Sequence, residues 1–201
     1  MTTLNGKRSA YRRIRVWRTL RAAIVAGALL VTLAGCGSVV DPGAEQQFMT
    51  HLADASITVF PAYVRNGADH HYAAPAAAAI AECLTECNLG RVAVSDDEVP
   101  ITSQWGVNQS RMFRESVADF VAFLGEHPVD TDYALLPEYL IGGGGKVVGV
   151  HTYVLASDGT CAYAIGLNSH HQAFNDVNPQ SPDDCTTIII NVLRAELQAA
   201  Q

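Results

Sequence analysis

The chain has 201 residues, enough for one ordinary domain with its own core, and sets 13 basic against 20 acidic side chains for a formal charge of −7. The charge is unevenly spread: Lys7, Arg8, Arg12, Arg13, Arg15, Arg18 and Arg21 precede any acidic residue, and the chain beyond residue 35 holds 6 basic against 20 acidic residues, near −14. A surface of that sign repels phosphate backbones, so no nucleic-acid partner is expected.

In chain order, the basic stretch runs into the apolar segment Ala22 to Leu33 and then the small residues Ala34 and Gly35, the three-part layout of a secretory signal. The apolar segment falls short of the roughly 20 residues that a membrane-spanning helix needs, so removal of the leader is expected. Arg12-Arg13 has the pair of a twin-arginine signal, but Ile14, Arg15 and Val16 do not continue that pattern, and ordinary secretion is the default. The tetrapeptide Leu33-Ala34-Gly35-Cys36 resembles the lipobox of bacterial lipoproteins. That resemblance implies that Cys36 is acylated, becomes the new N-terminus and anchors an extracytoplasmic domain to the cell envelope, at the outer membrane in a Gram-negative cell. The expected organisation is a lipoprotein signal over 1–35, a lipidated Cys and flexible tether over 36–50, and a single domain over 51–201.

Within that domain, Ile57 to Val64 is rich in β-branched and aromatic residues and predicts a strand, with Pro61 marking an edge or a bulge. The Ala-rich segment from Pro75 to Cys87 predicts a helix that stops before Gly90, and Arg91 to Val94 a short second strand. Phe113, Val117, Phe120, Val121 and Leu124 share one face of a helix from about Asn108 to Leu124, ended by Gly125 and Pro128. Strands follow over 132–141, 146–156 and 160–168, the last two joined by the tight-turn pair Asp158-Gly159. The middle strand carries Val148, Val150 and Val154 on one face and His151, Tyr153 and Leu155 on the other, which makes it central. Ser181 then caps a last helix with Pro182, Asp183 and Asp184 in its first turn and Cys185, Ile189, Val192 and Leu193 on its apolar face. The expected fold class is α+β, a mixed sheet of about five strands in the order β-α-β-α-β-β-β-α with three helices packed on it.

This order, with Ile57 to Pro61 leading into an Ala-rich helix and then Val92 to Val94, resembles the periplasmic core of the curli-secretion lipoprotein family and the amino-terminal domain of the Tol-Pal propeller protein. The resemblance covers most of residues 55–200. It implies an assembly or adaptor role without catalysis, in which the membrane is met through the N-terminal lipid and the partner is an envelope protein or a second copy. No pair of long alternating strands for a membrane barrel accompanies it, so a channel is not implied.

With Cys36 carrying lipid, Cys83, Cys87, Cys161 and Cys185 remain, an even number for a compartment that permits disulfides. Cys83 and Cys87 lie four apart at a helix end and can bridge if the last turn loosens, leaving Cys161 to join Cys185; three connectivities are possible in principle. Cys-x-x-x-Cys with two distant single cysteines lacks the paired spacing of zinc ribbons, so no metal is expected.

The histidines are the remaining candidates for chemistry: His70-His71, His170-His171, and His151 on the central strand. Adjacent residues of an extended chain point apart. A two-residue turn at Asp158-Gly159 would pair Ser157 with Thr160 and set His151 opposite Gly166, about 13 Å from His170 at roughly 3.3 Å per residue. The polar loop Asn168 to Gln180, with His170, His171, Asn175 and Asp176 around Phe174, is the candidate functional loop. Gly142 to Gly145 with Lys146 is not a phosphate loop, since Val147 stands where a hydroxyl is needed. Neither a Gly-x-Ser-x-Gly elbow nor a His-Glu-x-x-His helix occurs, so no catalytic residue and no cofactor is assigned. The leading expectation is a lipid-anchored binding or assembly module. The alternative is an envelope hydrolase or metal-dependent enzyme using His151 and the His170/His171 loop.

Overall fold

The computed structural model describes residues 39–51, 54–104 and 108–199; the signal segment, Cys36 and its lipobox lie outside them. Strand β5 (Tyr133–Ile141), all nine of whose residues are buried, runs through the middle of the sheet. On one side it pairs antiparallel with β6 (Val147–Ala156), which pairs antiparallel with β7 (Cys161–Leu167). On the other side it meets two strands in succession, β1 (Ser56–Val59) parallel along Tyr133 to Leu135 and β2 (Ala62–Asn66) parallel along Glu138 to Ile141. The expected single strand over 57–64 is therefore broken at Phe60 and Pro61, and Pro137, which has no N–H to donate, falls in β5 at the level of that break. Strand β3 (Asp69–Ala73), antiparallel to β2, and β4 (Arg91–Val94), parallel to β1, complete a mixed seven-stranded sheet.

Five α-helices accompany it among the described residues: α1 (Pro42–Thr50), α2 (Ala74–Glu86), α3 (Gln109–Glu126), α4 (Gln172–Val177) and α5 (Pro182–Ala199). The α+β class is as expected, with more elements than expected. Local chemistry explains the helix ends. α2 stops where Asn88 takes φ 60°, letting the Leu89 N–H donate to the Leu84 carbonyl and the Asn88 N–H to that of Thr85, each at 3.1 Å. α3 starts at Asn108, whose side chain accepts from the Ser110 N–H at 2.8 Å. α5 starts with Ser181 and Asp184 bonded reciprocally through backbone N–H and side chain.

Apolar side chains divide over the two faces of the sheet. One face packs Val59, Leu135, Val150 and Val154 against α2 and α5, with Phe48 of α1 and Phe174 of α4 in the same cluster. The other packs Phe60, Tyr63, Leu136, Tyr153 and Leu155 against Val117, Phe120 and Leu124 of α3. The two-faced reading of β6 thus holds from Val150 to Leu155, while a register shift opposite Leu140 and Ile141 puts Val147 instead of Val148 in the α2/α5 cluster.

Three expectations are corrected. The tether expected up to residue 50 contains α1: Asp41 caps it by accepting from the Gly43 and Ala44 N–H groups at 2.9 Å each, and the Asp41 N–H donates to the Cys161 carbonyl of β7. The turn between β6 and β7 has three residues rather than two. The Gly159 N–H donates to the Ala156 carbonyl, Gly159 takes φ +84°, and Ala156 pairs with Thr160. A bulge at Ala162 then restores the register, so His151 still lies opposite Gly166. The pairing of Cys161 with Cys185 does not occur: among the described residues Cys83, Cys87, Cys161 and Cys185 carry thiols, and Cys161 belongs to the α3 side of the sheet while Cys185 belongs to the α2/α5 side. Burial raises the Cys83 and Cys161 thiols to about 11 and that of Cys185 to about 12, so these three stay protonated and unreactive at neutral pH.

Phe48 is 4 % exposed and stacks edge-on against Tyr133 at 4.8 Å between ring centroids. Phe48→Ala is expected to cost about 3–5 kcal/mol in urea denaturation; a loss below about 1 kcal/mol would return this segment to the status of a tether.

Candidate functional site

On the α3 face, strand alternation brings together side chains far apart in the sequence. Glu138 of β5 lies directly across from Tyr63 of β2 and His151 of β6, with Arg65 and Tyr153 two positions along on the same face. Glu138 has no exposed surface, and Arg65 and His151 are 4 % and 5 % exposed. The carboxylate accepts from four groups: Arg65 Nη2 at 3.1 Å, His151 Nδ1 at 3.0 Å, the Tyr153 hydroxyl at 2.6 Å and the Ser116 hydroxyl of α3 at 3.4 Å. Burial by itself pushes the Glu138 carboxyl up; the hydrogen bonds of His151 and Tyr153 and the charge of Arg65 outweigh it and hold it below its ordinary value. Burial and the neighbouring Glu138 push the Tyr153 phenol far up, so it stays a donor.

The segment from Ser95 to Gln104, between β4 and α3, forms a strap over the same face. Its residues alternate: Val99, Ile101 and Ser103 are buried, while Glu98, Pro100, Thr102 and Gln104 are exposed. The inward side is fastened by side chains instead of by a strand ladder. The Tyr72 hydroxyl donates to the Val99 carbonyl at 3.1 Å, the Tyr63 hydroxyl to the Ile101 carbonyl at 3.2 Å, and Arg65 to both the carbonyl and, at 2.8 Å, the hydroxyl of Ser103. Three successive alternate carbonyls are thereby held by β3 and β2.

The outward side of the strap forms a groove of about 520 Å³ with α3. Asp97 and Glu98 stand on the strap wall, Asp119 and Glu126 on the helix wall, and the Phe123 ring, stacked on His127 at 4.5 Å between centroids, lines the groove with them. Asp119 ties the walls together, accepting from the Thr102 N–H at 2.6 Å. None of the four carboxylates belongs to an ion pair among the described residues. Concentrated, unneutralised negative charge beside an aromatic face suits a cationic side chain.

The residues singled out from the sequence are not brought together. His151 is locked into the Glu138 cluster under Phe113 of α3, at 5.1 Å between ring centroids. The loop histidines belong to the opposite face, where Phe174 anchors α4. There the polar side chains shape the loop: His171 caps α4 by accepting from the Ala173 N–H at 3.2 Å, the His170 N–H donates to Asn168 Oδ1, Asn175 donates to the Ser169 carbonyl, and Asp176 accepts from Gln172. Among the described residues no group of three or more His, Cys, Asp or Glu side chains is placed to hold a metal ion. The functional candidates missed in the sequence are Arg65, Glu138 and the strap; a lone arginine and a lone glutamate in otherwise apolar strands were their only signal.

No protein-family model matches the chain, and no curated protein matches it. Among solved structures it is similar to a PelC dodecamer from Paraburkholderia phytofirmans, at 14 % identity and a TM-score of 0.37 over 74 % of this chain and 91 % of that one. It is also similar to the LpoB C-terminal domain from Salmonella enterica, at 12 % identity and a TM-score of 0.32 over 62 % of this chain and 94 % of that one. The LpoB C-terminal domain from Escherichia coli aligns at 11 % identity and a TM-score of 0.30, over 62 % and 93 % of the two chains.

Because the folded state holds Glu138 below its ordinary value, the ionised carboxylate contributes stability that is complete at neutral pH and is lost as pH falls below about 4.5, where the unfolded chain takes up the proton first. Glu138→Gln removes that acid-dependent contribution and leaves Arg65 without its counter-charge, an expected loss of about 3–5 kcal/mol at pH 7. Urea denaturation at pH 7 and pH 4 reads both effects; a variant as stable as the parent at pH 7 would show that the cluster is not coupled to folding.

Proposed function

We propose that the chain is an exported lipoprotein, anchored through acylated Cys36, whose folded domain is a binding or assembly module that receives a basic segment of another envelope protein in the groove between the strap and α3. The groove carries this reading: four carboxylates with no ion-pair partner among the described residues line it together with Phe123, on a chain with 6 basic and 20 acidic residues beyond the leader. The lipobox supports the address. Several acyl chains hold a soluble domain at a bilayer essentially permanently, each buried methylene contributing roughly 0.8 kcal/mol.

Folded structure from Val39 onward shortens the reach of the anchor. Only Gly37 and Ser38 separate Cys36 from Val39, three steps along the chain that at about 3.5 Å each span at most roughly 10 Å, so with an acylated Cys36 the partner would be sought at the membrane surface. An acidic groove of this kind speeds encounter with a basic patch and loses that advantage as salt rises.

Two measurements test the proposal. Cys36→Ser is expected to release the domain from membranes in fractionation, since it removes the acylation site; native protein found without lipid would refute the anchor. Crosslinking in cells from position 98 or 126 is expected to capture an envelope protein through a basic stretch. The double change Glu98→Gln and Glu126→Gln should weaken that association about tenfold or more at low salt while leaving stability within about 0.5 kcal/mol. Association indifferent to both changes and to salt would move the interface elsewhere, to the exposed edge of β3 and β4 or to self-association.

A further inference from the structure

We infer that Arg65 is the positioning residue of the groove: by clamping Ser103 while paired with the buried Glu138, it sets the strap wall at a fixed distance from α3. The inference rests on the groove reading and deepens it by naming what controls the groove's shape. The strap has an inward row, Val99, Ile101 and Ser103, and an outward row, Glu98, Pro100 and Thr102, and the outward row is groove wall. In an extended segment the two rows move together, so whatever fixes the inward carbonyls fixes the wall.

Of the three clamps, the Tyr63 and Tyr72 hydroxyls each make one neutral bond, at 3.2 and 3.1 Å. Arg65 makes two bonds to Ser103 and one to Glu138 at 3.1 Å. Its guanidinium also lies over the Tyr63 ring at 5.2 Å from the centroid, which couples it to the next clamp. A charged, forked donor holds an extended carbonyl more tightly and in a narrower geometry than a hydroxyl does. Ser103 also meets the Ser116 hydroxyl of α3 at 3.2 Å, and the adjacent Thr102 N–H is the group bonded to Asp119. The clamp therefore acts at the point where strap and helix meet. Arg65 is buried and touches no groove carboxylate in an ion pair, so its effect on binding is indirect.

The test uses the full chain, hydrogen exchange read by mass spectrometry, and penta-lysine as the probe. Arg65→Lys keeps a positive charge opposite Glu138 but loses the fork; Arg65→Met with Glu138→Leu replaces the buried pair by apolar groups, a change that is often neutral for stability. In both variants the segment 97–104 is expected to exchange roughly ten- to a hundred-fold faster, the equivalent of one charge-assisted hydrogen bond, while β5 and β6 keep their protection. Penta-lysine affinity should fall about five-fold or more with it, and Tyr72→Phe should give a smaller shift of the same kind. Unchanged exchange of 97–104 in both variants overturns the inference, as does loss of protection in strap and sheet together, which would make Arg65 merely a stability element. Should the double variant unfold, Arg65→Lys carries the comparison. If wild-type chain fails to bind penta-lysine in a salt-dependent way, the groove reading fails, and the exchange measurements still decide whether Arg65 sets the strap.

Discussion

A carboxylate with no exposed surface, in the middle of the central strand, is the constraint that orders the α3 side of this domain. Removing an ionised carboxylate from water costs several kcal/mol, and only near-complete hydrogen bonding offsets it. Glu138 meets that demand with donors from β2, β6 and α3, so it is satisfied only when three elements dock in one register. A Leu at the same place would bury as well. It would not discriminate one placement of Arg65 from another, and that discrimination is the use that best accounts for buried charge in a small domain.

The demand passes outward through Arg65. With Nη2 shared between Glu138 and the Ser103 hydroxyl, the guanidinium is fixed in direction, and its Nη1 donates to the Ser103 carbonyl of the strap. Beyond Ser95, whose N–H donates to the Val59 carbonyl of β1, the segment to residue 104 belongs to no strand among the described residues, yet its alternate residues are buried as in a strand. Side-chain donors from Tyr72, Tyr63 and Arg65 stand in for the missing ladder and satisfy carbonyls that burial would otherwise leave without partners. A wall built this way can be tuned one side chain at a time, whereas a ladder strand cannot shift without slipping its whole register.

Much of the scaffold was legible because its signals are local. Ser181 with Asp184, Asn108 ahead of an apolar helical stripe, and the two bulky faces of β6 each act within a few residues. Where reading failed, two local meanings competed or the partner was distant. Asp41-Pro42-Gly43 reads as part of a polar tether, yet Asp41 is also a helix cap and Pro42 a first-turn residue, and Phe48 finding a core settles the choice in favour of α1. Asp158-Gly159 does mark the hairpin, but the closing pair moved by one residue and a bulge at Ala162 moved it back. The site was hidden for the second reason: Glu138 and Arg65 are 73 residues apart, so neither looks like half of a pair. His151 stands out in the sequence, but its partner does not, because its cross-strand neighbour Glu138 sits inside an apolar run.

The distribution of positive charge supplies the last step. Of the six basic residues beyond the leader, Arg65 is buried against Glu138, Arg111 pairs with Glu115 one helical turn away, and Arg194 joins Glu86 across two helices. Arg91 donates to the Asp130 carbonyl. These four are thus engaged elsewhere, and neither they nor Arg114 and Lys146 line the groove, where Asp97, Glu98, Asp119 and Glu126 stand together. Solubility alone asks for charge spread over the surface, since like charges brought close repel and destabilise the compact state. Asp119 has a structural use in holding the two walls together, and Asp97 accepts from Ser95, but gathering four carboxylates in one groove sets like charges close, and an arriving cation is what would relieve it.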